Sequence, residues 1–244
     1  MKTVLITGCN RGLGRTLLED FSKEGYDVIV LNRKKYEEFD KAIVALQNKF
    51  GTSIKVYYAD FSSKVEIDQA LDQIETLNVR IDVVVNNAGI NNSTRPLFNT
   101  EYEEIKEALF VNYLAPFEIT KRVASMMIRQ DGGSVINISS TVSINTDLAE
   151  SSYGASKAAL NLFTKSIAQE LAPFNIRVNA IACGVMGTEM FNGFDEKVRK
   201  KALKRIALKR PADLQEISNM VLFLASEKSS YITGAIIPVD GGFM

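Results

Sequence analysis

The 244-residue chain contains no histidine and no tryptophan, and only two cysteines and five prolines. Without histidine there is no Ser-His or Cys-His nucleophile pair and no imidazole-based zinc site. Acid–base chemistry must then fall to Tyr, Lys, Asp, Glu or Cys. Cys9 and Cys183 are too few and too far apart for a disulfide framework or a metal-binding spacing, which points to a reducing compartment. Charge of one sign is also lacking, because 29 basic residues balance 29 acidic ones. A nucleic-acid or membrane-surface partner is therefore not expected, since a basic face normally shows in the total. There is no run of ~18 apolar residues to span a bilayer. The first residues enter a strand pattern with no charged-then-apolar leader, so a cytoplasmic protein is expected.

What the chain does have is 46% hydrophobic residues, arranged in alternating segments. Apolar strand-like runs lie at 2–7, 27–32, 54–59, 81–87, 133–140, 176–182 and 234–240. Between them the pattern predicts helices over 13–24, 36–50, 64–77, from 101 to about Arg129, 152–172 and 214–225. Ser63 with Glu66, and Thr100 with Glu103, have the spacing of capping boxes, and Asp213 is a further cap. The strands are continuous apolar runs rather than alternating ones, as expected when helices cover both faces of a parallel sheet. The expectation is an α/β chain: one Rossmann-like, doubly wound, seven-stranded parallel sheet over residues 1–244. The irregular stretch 184–212 is expected to be a lid over the site.

The stretch ITGCNRGLG (6–14) sits between the first strand and the first helix. Gly8 permits a tight turn, Gly12 lets backbone amides approach a pyrophosphate, and Gly14 lets the helix lie close on the sheet. Asn10, Arg11 and Leu13 complete this loop as expected cofactor-binding residues. An NAD-binding fold of this kind usually carries a carboxylate near the end of the second strand, for the ribose 2′-OH. Here that place holds Asn32, followed by Arg33 and Lys34. Arg11, Arg33 and Lys34 form a basic set suited to a 2′-phosphate, with Asn32 beside them as a further expected cofactor-binding residue, so NADP(H) is the expected cofactor.

Tyr153 and Lys157 are four apart in a helical segment and share a face. A free phenol titrates near ~10. A neighbouring ammonium is expected to lower that value and to make Tyr153 a proton donor in reduction and an acceptor in oxidation. Ser139 and Ser140 end the fifth strand at the carboxyl edge of the sheet, where ligands bind. A serine there can donate to a carbonyl oxygen as charge develops on it. Each element has a plain alternative: a Tyr/Lys surface pair, a turn at two serines, a helix kink at Asn112 near Pro116. Their joint occurrence favours catalysis.

NNAG (86–89), Asn112, NISS (137–140), YGASK (153–157) and YITGAIIPVDGG (231–242), together with the glycine loop, resemble the short-chain dehydrogenase/reductase family over essentially the whole chain. The general likeness is greatest to its bacterial members that reduce 3-oxoacyl-[acyl-carrier-protein]. The resemblance implies Asn112, Ser140, Tyr153 and Lys157 as the catalytic set, with Ser140 chosen by its spacing thirteen residues before the tyrosine. It implies that Asn112 holds a water beside the lysine in a proton relay. It also implies that Asp60, Phe61, Asn86, Asn87, Ala88, Gly89, Gly184, Val185 and Thr188 lie along the cofactor, together with Tyr153 and Lys157. A homotetramer is implied, with the helices at 101–129 and 152–172 as interface candidates. One departure is Cys183-Gly184 where the family commonly has Pro-Gly, which suggests a looser loop.

Met186, Met190, Phe191 and Phe194 either line an apolar substrate channel or pack the lid onto the body. From Lys197 to Arg210 there are eight basic residues and no acid. Such a run marks either a solvated face or the landing site of an acidic carrier. Arg129 matches a carrier-docking position, whereas Phe174 stands where a second basic residue is expected. The expected activity is NADPH-dependent reduction of a ketone, a 3-oxoacyl thioester on acyl-carrier protein or coenzyme A. The alternatives are the same chemistry on a sugar, a steroid-like ketone or another small carbonyl, or a non-catalytic NADP-binding sensor or scaffold.

Overall fold

The computed structural model describes residues 1–91, 95–145, 148–188, 191, 193 and 195–243, without the side chain of residue 198. Seven strands form one parallel sheet: β1 Thr3–Thr7, β2 Asp27–Asn32, β3 Ile54–Tyr58, β4 Val83–Asn86, β5 Gly133–Ser140, β6 Ile176–Cys183 and β7 Ile236–Val239. Their order is β3-β2-β1-β4-β5-β6-β7, so the chain reverses direction across the sheet between β1 and β4. Ligands bind at the carboxyl edge of such a reversal.

The apolar runs feed two cores. Val4, Ile6, Val28 and Val30 meet Leu13, Leu17 and Phe21 of α1 (Gly12–Lys23), Phe39 and Ile43 of α2 (Glu37–Phe50), and Ile217 and Val221 of α8 (Leu214–Ala225). Leu5, Ile29 and Leu31, one residue out of step, face the other way. They meet Ile67 and Leu71 of α3 (Lys64–Glu75), Ile119 and Val123 of α5 (Ala115–Arg129), and Ala168 of α6 (Ser151–Leu171). Alternation along each strand is therefore between two buried faces, which erases the polar/apolar signal.

Three expectations about the helices need correction. The capping box before residue 102 is Glu101 with Glu104, not Thr100 with Glu103. The expected continuous helix from 101 to 129 is α4 (Tyr102–Leu109), a π turn (Phe110–Leu114) and then α5. Pro116 has no amide hydrogen for the i→i−4 ladder. The wider turn carries Asn112, and single π turns of this kind often occur at functional sites. At the third helix Ser63 accepts from Glu66 N at 3.3 Å, but the Glu66 carboxylate accepts from Asp60 N at 2.9 Å instead of closing the box. A short helix α7 (Glu196–Lys204) lies in the irregular stretch, which is tied down by bridges Met186 to Ala212 and Ile206 to Phe243.

Candidate active site

The glycine loop is built by close approach. Gly8 (φ +76°) has its Cα hydrogens against Ala88, where a Cβ would stand 3.0 Å from the Ala88 Cα. A Cβ on Gly14 would lie 2.0 Å from the Gly8 carbonyl oxygen and 2.6 Å from Asn87 Nδ2. That amide in turn donates to Thr7 O at 2.9 Å and Gly8 O at 3.0 Å. Gly12 (φ +57°) faces open space, with Thr188 Cγ2 3.9 Å from a built Cβ.

Helix α1 begins without help from its own sequence. Arg11 makes no side-chain cap and the first turn holds no acid, whereas Ser63 caps α3 and Asp213 caps α8. The orphan amides and the positive end of the helix dipole are thus left for an outside anion. Residues 8–14 consequently fit a dinucleotide pyrophosphate. Arg11, Arg33 and Lys34 are exposed nearby, and the Asp60 carboxylate lies within reach of the charges of the latter two. Hydrogen bonds from Ser62 hold Asp60 below the usual carboxylate range, with those two charges adding to the effect.

Asn32 has a different part from the one its position suggested. It is fully buried; its Oδ1 accepts from Cys9 N at 2.7 Å and its Nδ2 donates to Asn10 Oδ1 at 2.7 Å. Both polar ends are used in holding the loop. The side chains of Leu13 and Phe61 are likewise core, which leaves only their backbones to face a ligand. Asn86 points into the core, donating to Thr120 Oγ1 at 2.9 Å and Asn137 Oδ1 at 2.8 Å. Ala88 N donates to Thr7 Oγ1 at 2.9 Å, which fixes the NNAG turn against β1.

The four expected catalytic residues converge. Ser140, at the end of β5, hydrogen-bonds the hydroxyl of Tyr153. Lys157 is buried, its Nζ donates to Ile138 O at 2.9 Å, and it stands 5.9 Å from the Tyr153 ring centre. Asn112 is fully buried. It accepts from Ile90 N at 2.8 Å and donates to Ile90 O and Ser156 Oγ, both at 2.9 Å. A Cβ on Gly89 would stand 3.1 Å from Asn112 Oδ1 and 3.3 Å from Lys157 Nζ, so glycine there lets the NNAG turn reach both.

The electrostatics depart from the sequence expectation. The charge of Lys157 does not bring the Tyr153 phenol below its ordinary value. Desolvation pushes the phenol up to about 12, opposed by the Ser140 hydrogen bond. Burial also brings the Lys157 ammonium down to about 8. The reason is geometric: Nζ is drawn to the Ile138 carbonyl, and both groups lose more hydration than they regain from each other. At neutral pH Tyr153 therefore holds its proton firmly and is ready to give it to a stronger base. Cys183 is buried in the same pocket, paired in register with Ser140, and burial pushes its thiol up to about 12. It is an inert thiol, and the loop after it is not loose. Strand pairing runs through Cys183, Gly184 N donates to Val239 O at 3.0 Å, and a Cβ on Gly184 would meet Asp240 Cα at 2.7 Å.

The residues expected to form a lid divide. Ala212 N donates to Val185 O at 2.9 Å, and Thr188 accepts from Phe191 N at 3.4 Å. Met186 packs on the core and Phe191 is buried, so both take the packing alternative; Met190 and Phe194 lie outside the described residues. Arg129 pairs with Glu75 at 3.7 Å, and Phe174 is exposed beside the corner it was expected to mark. Two polar residues that sequence reasoning passed over stand near Tyr153: Asn91 donates to the Glu150 carboxylate at 3.2 Å, and that carboxylate acts on the tyrosine. Their signal was adjacency alone, one beyond the NNAG turn and the other three residues before the tyrosine.

Comparison with known proteins agrees with this architecture. The family described as enoyl-(acyl carrier protein) reductase matches residues 8–244. The chain is 37% identical over 242 residues to the 3-oxoacyl-[acyl-carrier-protein] reductase FabG of Aquifex aeolicus, covering 99% of this chain and 96% of that protein. It is 35% identical over 241 residues to a 3alpha-hydroxysteroid dehydrogenase of Mediterraneibacter gnavus, covering 98% and 96%. The structure of L-sorbose reductase from Gluconobacter frateurii, complexed with NADPH and L-sorbose, superposes with a TM-score of 0.92 at 27% identity, covering 100% of this chain and 96% of that one. Likeness along the full length, on a sheet of this order, makes the chain a member of the short-chain dehydrogenase/reductase family, whose members are oxidoreductases that bind nicotinamide cofactors.

Proposed function

We propose that the chain is an NADPH-dependent ketoreductase, with a 3-oxoacyl thioester as substrate. The observation that carries the reading is the Ser140–Tyr153 hydrogen bond beside buried Lys157, at the sheet edge shared with the glycine loop. Bound along residues 8–14, the dinucleotide supplies the hydride. Ser140 donates to the substrate carbonyl oxygen as negative charge gathers there. Tyr153 gives that oxygen its proton, so ketone, hydride and proton together yield the secondary alcohol. Lys157 steadies the phenolate left behind, and Asn112 and Gly89 hold the pocket around its ammonium. The stretch 184–212 serves as the lid. Turnover of NADPH with acetoacetyl-carrier protein, set against a panel of free ketones, tests the substrate class. No turnover of the carrier substrate, with turnover of a free ketone, sinks it.

NADPH rather than NADH follows from Arg11, Arg33 and Lys34 and from Asn32, which is neither acidic nor free. The double variant R33A/K34A is expected to weaken NADPH binding by about 10- to 100-fold while leaving NADH binding within a factor of about three. Fluorescence titration of both dinucleotides reads this directly; equal loss of both refutes the phosphate role.

A second reading, reduction of a free ketone, is favoured by Arg129 being engaged with Glu75 and by Phe174 at the other expected docking position. The carrier reading then needs another basic surface, and α7 supplies one. Lys197, Lys201 and Lys204 are spaced by four and three, share one face, are exposed, and form no ion pair with a described residue. Their neighbours are engaged: Lys200 with Glu196 at 2.7 Å, Arg210 with Glu216 at 2.7 Å, and Arg205 over the Phe243 ring. Reversing the three lysines to Glu is expected to raise KM for acetoacetyl-carrier protein at least about 10-fold at low salt and to leave KM for a neutral N-acetylcysteamine thioester unchanged. Equal effects on both substrates would remove α7 from docking. The homotetramer belongs to the same reading: an apolar groove of about 700 Å³ between α5 and α6, lined by Phe117, Ala124, Ile128, Leu162 and Phe163, is the surface such an assembly would bury.

A further inference from the structure

Helix α6 carries a third polar residue on the catalytic stripe. Tyr153, Lys157 and Asn161 are spaced i, i+4, i+8, so one face of the helix presents all three to the end of β5. Each grips a different point of that corner. Tyr153 takes the Ser140 hydroxyl and Lys157 takes the Ile138 carbonyl. Asn161 Nδ2 donates to Ser143 Oγ at 2.7 Å, and Ser143 Oγ donates in a short hydrogen bond to the carbonyl of Ser140. Ser139 Oγ stands 3.4 Å from the same Ser143 oxygen. Ser143 closes the short turn Thr141–Ser143 that follows the strand, and Val142 N donates to Ser140 Oγ at 3.3 Å.

Asn161 is costly for a purely packing position. It is 9% exposed, and its Oδ1 has no hydrogen-bond partner among the described residues. A buried amide with half its capacity unmet is disfavoured relative to an apolar residue of the same shape. Leucine, close to it in shape, would sit there without that cost. What the amide uniquely provides is an N–H aimed at Ser143, which orients that hydroxyl toward the Ser140 carbonyl.

We infer that Asn161 and Ser143 are positioning residues that set the Ser140 hydroxyl at the height where it meets both Tyr153 and a substrate carbonyl. The inference rests on the reaction proposed above. Neither residue touches substrate; both act through the Ser140 backbone. A hydroxyl donor displaced by a fraction of an ångström loses much of its value in the transition state and little in substrate binding.

The test compares N161L, S143A, S143T and S140A as full-length enzymes. N161L and S143A are each expected to lower kcat by about 10- to 100-fold, with KM for NADPH unchanged. N161L is expected to keep or raise the Tm, because it removes the unmet amide. S143T, which keeps the hydroxyl, is expected to retain kcat within about threefold. In an S140A background neither N161L nor S143A is expected to lower kcat further. If S140A is crippled while N161L and S143A keep wild-type kcat, or lose stability in step with activity, the positioning role is overturned and the reaction stands. If S140A itself turns over like wild type, it is the reaction that fails. S143A, a change within a half-buried turn, carries the test if N161L does not fold.

Discussion

Tyr153→Phe is expected to lower kcat for ketone reduction by about 10²- to 10⁴-fold while leaving NADPH binding within a factor of about two. The ring stays, and with it the packing beside Lys157; only the proton and its hydrogen bond with Ser140 go. The magnitude follows from what the proton does. Hydride addition to a ketone builds an alkoxide, a base far stronger than a phenolate, so a phenol held at about 12 still gives up its proton downhill. Water can replace that donor only inefficiently in a buried site. The sign with pH also follows. Tyr153 is protonated throughout the neutral range, so it does not limit reduction there. The ammonium of Lys157, brought down to about 8, loses its charge first as pH rises. The rate of reduction by the wild type is therefore expected to fall above about pH 8. Single-turnover oxidation of NADPH across pH 6–10 measures both effects, and a Tyr153→Phe rate within tenfold of wild type refutes the assignment.

Gly14→Ala is expected to destabilise the chain by more than about 3 kcal/mol and to abolish dinucleotide binding. The new methyl would need to occupy space 2.0 Å from the Gly8 carbonyl oxygen and 2.6 Å from Asn87 Nδ2. Backbone lies on one side and a doubly bonded amide on the other, so neither yields cheaply. Helix α1 must lift from the loop, and the amides at its start leave the place where a pyrophosphate would lie. At roughly 2–4 °C per kcal/mol for a domain of this size, the Tm falls by at least about 6 °C. Gly25→Ala is the control. Gly25 also has a positive φ, +79°, but a Cβ there meets nothing within 4 Å. Its expected cost is about 1 kcal/mol from backbone conformation alone, with dinucleotide binding intact. Equal losses in the two variants would show that conformation, not close approach, governs Gly14.

The sheet was legible because its strands are long apolar runs bounded by glycine and polar turns, and most ends agree within two residues. The candidate catalytic cluster was legible because Tyr153 and Lys157 lie four residues apart on one helix. The failures have a common cause. The π turn at Phe110–Leu114 carries Asn112, whose amide meets both backbone groups of Ile90, 22 residues away. Asn32 was expected along the cofactor by its place on the strand, yet Cys9 N and Asn10 claim both ends of its side chain. Arg129 was expected at a carrier-docking position, and its pairing with Glu75 of α3 could not be read from the sequence. Asn161 could have been found by extending the four-residue step from Tyr153 and Lys157 one turn further, but nothing in its own neighbourhood marks Ser143 as its partner.

By itself the sequence determined the class of sheet, the glycine turn between β1 and α1, and the placing of Tyr153 and Lys157 on one helix face. Those are properties of periodicity and of short spacings along one chain segment, where geometry is set by the local backbone. Only the tertiary structure decided that Tyr153 holds its proton, that both polar ends of the Asn32 side chain are used within the glycine loop, and that three residues of α6 clamp the end of β5. Burial and hydrogen-bond partners arise between segments distant in sequence, and desolvation acts on a group only once those segments have closed around it.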